Sequence, residues 1–134
     1  MDDKKETWEI ASEIWARQAE DHQNKFTHFI YCVTDLVARI SSPKRLLDVG
    51  CGPGLLCELL AEKGWDVNGT DLAEGMIGAA RQRLSKHYSD VSHRFLLCKD
   101  GDIPFQKQQF NVITALQVFP YIEKYKPFIE KLSS

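Results

Sequence analysis

Apolar side chains recur every three or four residues over the first 40 positions, and then the rhythm changes. Trp8, Ala11, Trp15 and Ala19 fall at helical spacing, so a helix is expected over residues 4–19. In "NKFTHFIYCVTDLVARI", Phe26, Phe29, Ile30, Val33, Val37 and Ile40 step by three and four, which predicts a second helix with these residues on its inner face. The "SSP" at Ser41–Pro43 ends it, because proline biases the preceding residue away from the helical region.

Beyond Pro43 the apolar blocks shorten and alternate in kind. "RLLDV" is a short apolar run of the sort found in buried strands, and "GLLCELLAEKG" is a helix closed by Gly64. "WDVNGTD" predicts a strand ending at Asp71, and "EGMIGAARQRLSKH" a helix weakened by Gly75 and Gly78. "HRFLLCKD" and "FNVITAL" predict two more strands. "IEKYKPFIEKL" predicts a closing helical segment that begins or bends at Pro127. Strands alternating with helices indicate an α/β domain with a parallel sheet. The unbroken apolar character of "LLDV" and "VITAL" agrees, since parallel strands are covered on both faces.

Composition narrows the class without changing the fold. The chain has 134 residues, 43% of them hydrophobic, and a net charge of −2, which suits one ordinary soluble domain. Mild acidity argues against a nucleic-acid surface driven by net charge. No apolar run approaches the roughly 18 residues that a membrane span needs. The charged start "MDDKKETWEI" lacks the apolar core of a signal peptide, so a cytoplasmic location is expected. Cys32, Cys51, Cys57 and Cys98 follow no C-x-x-C spacing, and His22, His28, His87 and His93 form no ligand cluster with them. They are read as reduced thiols filling apolar or turn positions, and no metal site is expected.

One stretch gives up local stability. "LLDVGCGPGLL" places Gly50, Gly52 and Gly54 at alternate positions after an acid, Asp48, between a strand and a helix. In open parallel sheets ligands bind beyond the carboxyl ends of the strands. Glycine there tolerates positive φ and lets the main chain approach a ligand closely. The following helix aims its free N–H groups and positive dipole end at the same place. The spacing G-x-G-x-G departs from the G-x-G-x-x-G of dinucleotide sites, which disfavours a nicotinamide-dependent oxidoreductase.

With its acid, glycine spacing and strand–turn–helix setting, "LLDVGCGPG" resembles motif I of the class I S-adenosylmethionine (SAM)-dependent methyltransferases, close to the small-molecule branch. The resemblance covers roughly residues 45–121. It implies a Rossmann-like parallel sheet of order 3-2-1-4 with helices on both faces. Residues 1–42 would precede it as a helical segment serving as lid or cap, and residues 43–134 would be the SAM-binding core. It also implies that Asp48 and Gly50 meet the methionine moiety, Asp48 through its carboxylate near the ammonium end and Gly50 through its backbone, with Cys51, Gly52 and Gly54 as further cofactor-binding positions of the turn. "VNGTDLAEGMI" resembles the second-strand segment, so Asp71 would accept from the ribose hydroxyls, with Leu72 and Met76 flanking the adenine; Asp71 could also cap the next helix. "CKDGDIPF" resembles the third-strand end, where Asp100, beside Gly101, would meet the adenine amino group, with Asp102 as a rival. "NVITALQVFPYIE" resembles the fourth strand and the loop facing the methyl group, which brings in Leu116 and Gln117, with Phe119 and Tyr121 as further candidates. No side chain stands out as a general base.

The family's sheet continues past its fourth strand, whereas this chain stops one helix after it, and Asn111 stands where an acid is common. The "FNVITAL" strand would then be an edge, and an apolar edge invites pairing. A second copy, or the missing C-terminal half of a longer protein, is expected to cover it. The functions implied are methyl transfer from SAM to a small-molecule acceptor, leaving S-adenosylhomocysteine, or a truncated module that binds SAM without transferring. No membrane or nucleic-acid partner is expected.

Overall fold

The computed structural model describes residues 25–40, 42–98, 105 and 109–116. The expected helix over residues 4–19 and the closing helical segment lie outside them. The elements are α1 (Lys25–Ile40), β1 (Arg45–Val49), α2 (Leu55–Glu62), β2 (Asp66–Asp71), α3 (Glu74–Leu84), α4 (Val91–Arg94), β3 (Phe95–Leu97) and β4 (Val112–Thr114). The four strands form one sheet of order β3-β2-β1-β4. Every pairing is parallel, with Asp48 level with Gly69 and Thr114, and Asp71 level with Leu97. This is the Rossmann-like arrangement expected from the sequence.

Side chains alternate across a strand, so parity tells which face each residue covers. Leu46, Val67 and Phe95 share one face and pack with Ile30 and Val37 of α1, Leu56 and Leu60 of α2, and Ile77, Ala80 and Leu84 of α3. The described helices therefore stack on one face. Helices on the other face are not among the described residues. Leu47 and Val49 of that second face are nonetheless fully buried. No helix among the described residues is long and apolar enough to cross a membrane.

Three local differences from the expected elements have physical causes. The buried stripe of α1 is Thr27, Ile30, Thr34 and Val37, while Phe29 and Ile40 are exposed, so the helix is rotated from the face read off its apolar residues. Thr34 is cheap to bury because its hydroxyl donates to the Ile30 carbonyl at 2.8 Å. The strand expected from His93 starts only at Phe95, since Val91–Arg94 coil into one helical turn. That turn delivers Arg94 to Asp66, to the Val67 carbonyl at 3.3 Å and over the Tyr88 ring at 3.8 Å. Finally, α3 ends at Leu84, short of His87, and the chain turns to place Tyr88.

Tyr88 and Arg94 do the work of a missing neighbour. β3 pairs β2 only from Gly69 onward, leaving the first half of β2 without a strand on the side away from β1. There the Tyr88 hydroxyl accepts from Val67 N at 3.2 Å and donates to the Trp65 carbonyl at 2.9 Å. Buried main-chain groups need such partners, and here side chains supply them.

Among the described residues, two buried polar side-chain atoms have none. Asn68 Nδ2 and the Thr70 hydroxyl, both of the second face, lack hydrogen-bond partners. A buried, unpaired hydroxyl costs about 1–3 kcal/mol relative to a satisfied one. Thr70→Val keeps the branched shape and removes that penalty, so it is expected to raise stability by about 1 kcal/mol in urea denaturation. A lower midpoint would mean that the hydroxyl is bonded in solution.

Candidate functional site

β1 delivers the chain into a turn that only glycine makes without strain. Gly50, Gly52 and Gly54 have φ of 73°, 57° and 88°, in the left-handed region that Cβ-bearing residues avoid. Gly54 has a second reason to be glycine, since a Cβ there would lie 3.1 Å from that of Ala80, where α2 and α3 cross. The turn is closed by main-chain bonds from Cys51 N to the Thr70 carbonyl (2.8 Å) and from Gly54 N to the Cys51 carbonyl (3.2 Å). The Gly54 carbonyl then accepts from Glu58 N at 2.9 Å, the first bond of α2.

Asp71, at the end of β2, binds the turn from the side. Its Oδ2 accepts from Gly52 N at 2.9 Å, and its Oδ1 accepts from Ala73 N at 3.0 Å. The second bond is a local Asx-type turn, so Asp71 shapes the entry to α3 without being its N-cap residue, which is Ala73. Each carboxylate oxygen can accept more than one hydrogen bond.

Asp48 is strongly perturbed by its surroundings. It is 4% exposed, and the Thr114 hydroxyl of β4 donates to its Oδ1 at 2.8 Å. Burial pushes its carboxyl up to about 7; the Thr114 bond opposes the rise, and the charge of Asp71 adds to it. An acid poised near neutrality is readily ionised by an arriving cation, which suits a ligand carrying an ammonium group.

The remaining expected residues divide clearly. The Cys51 side chain turns toward β2, where it fills the space a Cβ on Gly69 would need; that Cβ would lie 2.8 Å from the Cys51 Cβ. Its thiol is pushed up first by burial, then by neighbouring Cys57, Asp71 and Asp48. Cys51 thus gives the turn its main chain, while its thiol packs. All four cysteines are free thiols. Leu72 and Met76 are buried just beyond Asp71, and Leu116 is half-buried past β4. Asp100, Gly101 and Gln117 lie outside the described residues, as do Asp102, Phe119 and Tyr121.

The sequence reading missed Thr114, Glu58 and Arg83. Glu58 is buried at the head of α2, bridged to Arg83 at 3.1 Å and Lys86 at 2.7 Å. Burial works to raise its pKa, but the bonds from Lys86 and Arg83 prevail and hold it below the usual glutamate value. The signals were present: a lone acid within "LLCELLA", and a lone hydroxyl within the apolar "VITAL".

A family model described as a methyltransferase domain matches residues 46–134. The ubiquinone biosynthesis O-methyltransferase of Nitrobacter winogradskyi is 31% identical over 90 residues, which cover 67% of this chain and 33% of that protein. The ubiquinone biosynthesis O-methyltransferase of an Azoarcus species is 35% identical over 79 residues, covering 59% of this chain and 34% of its own length. The chain thus spans about a third of the length of these curated relatives. Among solved structures, the magnesium protoporphyrin IX methyltransferase of Synechocystis with bound SAM superposes with a TM-score of 0.73 at 23% identity, covering 99% of this chain and 71% of that one. At that identity the likeness speaks for the fold.

Asp48 yields a prediction in the free protein. An acid whose pKa rises on folding holds its proton more tightly in the folded state, so stability is greatest at low pH and declines as pH rises toward the folded value. With the carboxyl moved from 3.8 to about 7, unfolding free energy is expected to fall by about 2 kcal/mol between pH 5 and 7.5. Asp48→Asn should remove that slope. Urea titrations of both proteins at the two pH values provide the check, and parallel slopes would contradict the assignment.

Proposed function

We propose, since the chain belongs to the class I SAM-dependent methyltransferase family by the match over residues 46–134, that it binds SAM in the crevice beyond β1 and β2 and transfers the methyl group to a small molecule. The observation that carries this reading is the pairing of a positive-φ glycine turn with two carboxylates, Asp48 buried beside it and Asp71 bonded to it. A flat, cationic ligand with a vicinal diol uses all three features. The sulfonium of SAM supplies an activated methyl group, so the chain's own task is to orient the two reactants and exclude water.

In this reading Asp48 receives the ammonium end, and the main chain at Gly50 and Gly52 lies against the methionine moiety. Asp71 accepts the ribose hydroxyls. Leu72 and Met76 enclose one side of the adenine, with Asp100 and Gly101 at its amino group. Leu116 and Gln117 stand near the methyl group, and residues 1–42 serve as a lid or cap over the core of residues 43–134. Free thiols suit a reducing compartment, and the cytoplasm is the proposed location.

A second reading is favoured by one observation. Ile113 of β4, the outermost strand of the described sheet, is 37% exposed, and the chain spans only about a third of its curated relatives. A module that binds SAM without transferring, or one completed by a second copy or a further segment over β4, fits these facts.

Calorimetry with SAM and S-adenosylhomocysteine tests the shared claim, and radiolabelled methyl transfer to a panel of small phenols, amines and thiols separates enzyme from module. Uptake of both nucleosides and none of NAD is expected. Asp71→Ala is expected to weaken uptake at least about tenfold, the worth of one hydrogen bond to a charged group. Folded protein that takes up neither nucleoside would refute the proposal. Light scattering that shows a monodisperse monomer would count against pairing through β4.

A further inference from the structure

The turn is gripped from its outer side as well, by a residue of the helix behind it. Arg83, in the last turn of α3, donates from Nε to the Pro53 carbonyl at 3.2 Å, within the turn itself. Its Nη1 donates to Glu58 Oε1 at 3.1 Å, and Glu58 N in turn bonds the Gly54 carbonyl at 2.9 Å. One guanidinium therefore joins the middle of the turn to the first turn of α2, and both charged side chains are largely enclosed, at 14% and 10% exposure. Alongside it, Gly54 sits so close to Ala80 that α3 already touches the turn.

We propose that Arg83 is a positioning residue for the cofactor turn, holding Gly50–Gly54 in the shape that receives the amino-acid end of SAM. This rests on the functional reading above and extends it to a residue outside the crevice. A five-residue segment with three positive-φ glycines has little stiffness of its own, since glycine has the widest conformational freedom. Asp71 fixes it at Gly52 from the β2 side, and Arg83 fixes it at Pro53 from the α3 side. Supports of this kind determine whether a site is held in its productive geometry.

The guanidinium fork is what the position demands. It presents several N–H groups in a rigid plane and serves a carbonyl and a carboxylate together. Lysine in its place would keep the charge beside Glu58 but could not span both. Lys86 pairs with Glu58 at 2.7 Å, is 63% exposed, and acts as the control: its removal weakens the ion pair and leaves the turn contact intact.

The test compares wild type with Arg83→Ala, Arg83→Lys and Lys86→Ala in titrations with S-adenosylhomocysteine and with adenosine, which lacks the amino-acid end. Both Arg83 variants are expected to lose roughly tenfold in affinity for S-adenosylhomocysteine, one charged hydrogen bond's worth, with adenosine little changed. Lys86→Ala should match wild type. Native-state amide exchange at Cys51–Leu55 should quicken in both Arg83 variants, ligand present or not. Rescue by lysine, equal losses for the two ligands, or unchanged exchange in the turn would each overturn the proposal. Wild type that binds neither ligand would overturn the functional reading, with the clamp itself then decided by the exchange rates.

Discussion

The hydrogen bond from Gly52 N to the Asp71 carboxylate is the constraint on which the site depends. It joins the exits of the two central strands at the point where the chain leaves regular structure. It adds to the Cys51–Thr70 main-chain bond and the packing of Cys51 on Gly69 in tying the turn after Val49 to β2. Because Asp71 also bonds Ala73 N, the same carboxylate sets where α3 begins. α3 then returns Arg83 to the far side of the turn. One acid thus fixes a loop directly and, through the helix it launches, indirectly.

The second acid works in the opposite sense. Asp48 lies under the turn in an enclosed place, and its ionised form is disfavoured there. The Thr114 hydroxyl eases this only in part, and it arrives from β4, the edge of the described sheet. The charge state of the site is thereby linked to the seating of the outermost strand. A cover over Ile113 would steady β4 and with it Thr114, so the exposed edge and the buried acid belong to one problem.

Much of this was legible in the chain itself. The parallel direction of the strands followed from the alternation of short apolar runs with helical spacing, and their order from the resemblance to the methyltransferase motif. The turn followed from three glycines behind an acid. What could not be read were the contacts that depend on three-dimensional crossing. Phe29 and Ile40 looked like core because they are apolar, yet Thr27 and Thr34 occupy that face, their polarity tolerated where the hydroxyl of Thr34 finds a carbonyl within its own helix. The one-turn helix before β3 exists to aim Arg94 at Asp66, a pairing 28 residues apart that no local pattern announces. Arg83 and Pro53 are 30 residues apart and meet only because α2 and α3 cross at Gly54 and Ala80. Cys51 is the reverse case: its place in the turn was plain, while its packing against Gly69 needed the register of β1 on β2.

The two ends of β2 show how the fold divides stability from use. At its start, where β3 is too short to pair, Tyr88 and Arg94 fill the vacant hydrogen-bonding positions, and an aromatic ring lies beneath the guanidinium. Every contact there favours a fixed structure. At its end the chain accepts left-handed backbone, a buried acid pushed toward neutrality and an unpaired threonine hydroxyl. Such features persist only where surrounding structure over-determines them. The supports around the turn, Asp71 on one side and Arg83 with Glu58 on the other, are what that requires. The cost of burying Asp48 falls where an arriving cation would relieve it, at the opposite end of the sheet from the Tyr88 and Arg94 contacts.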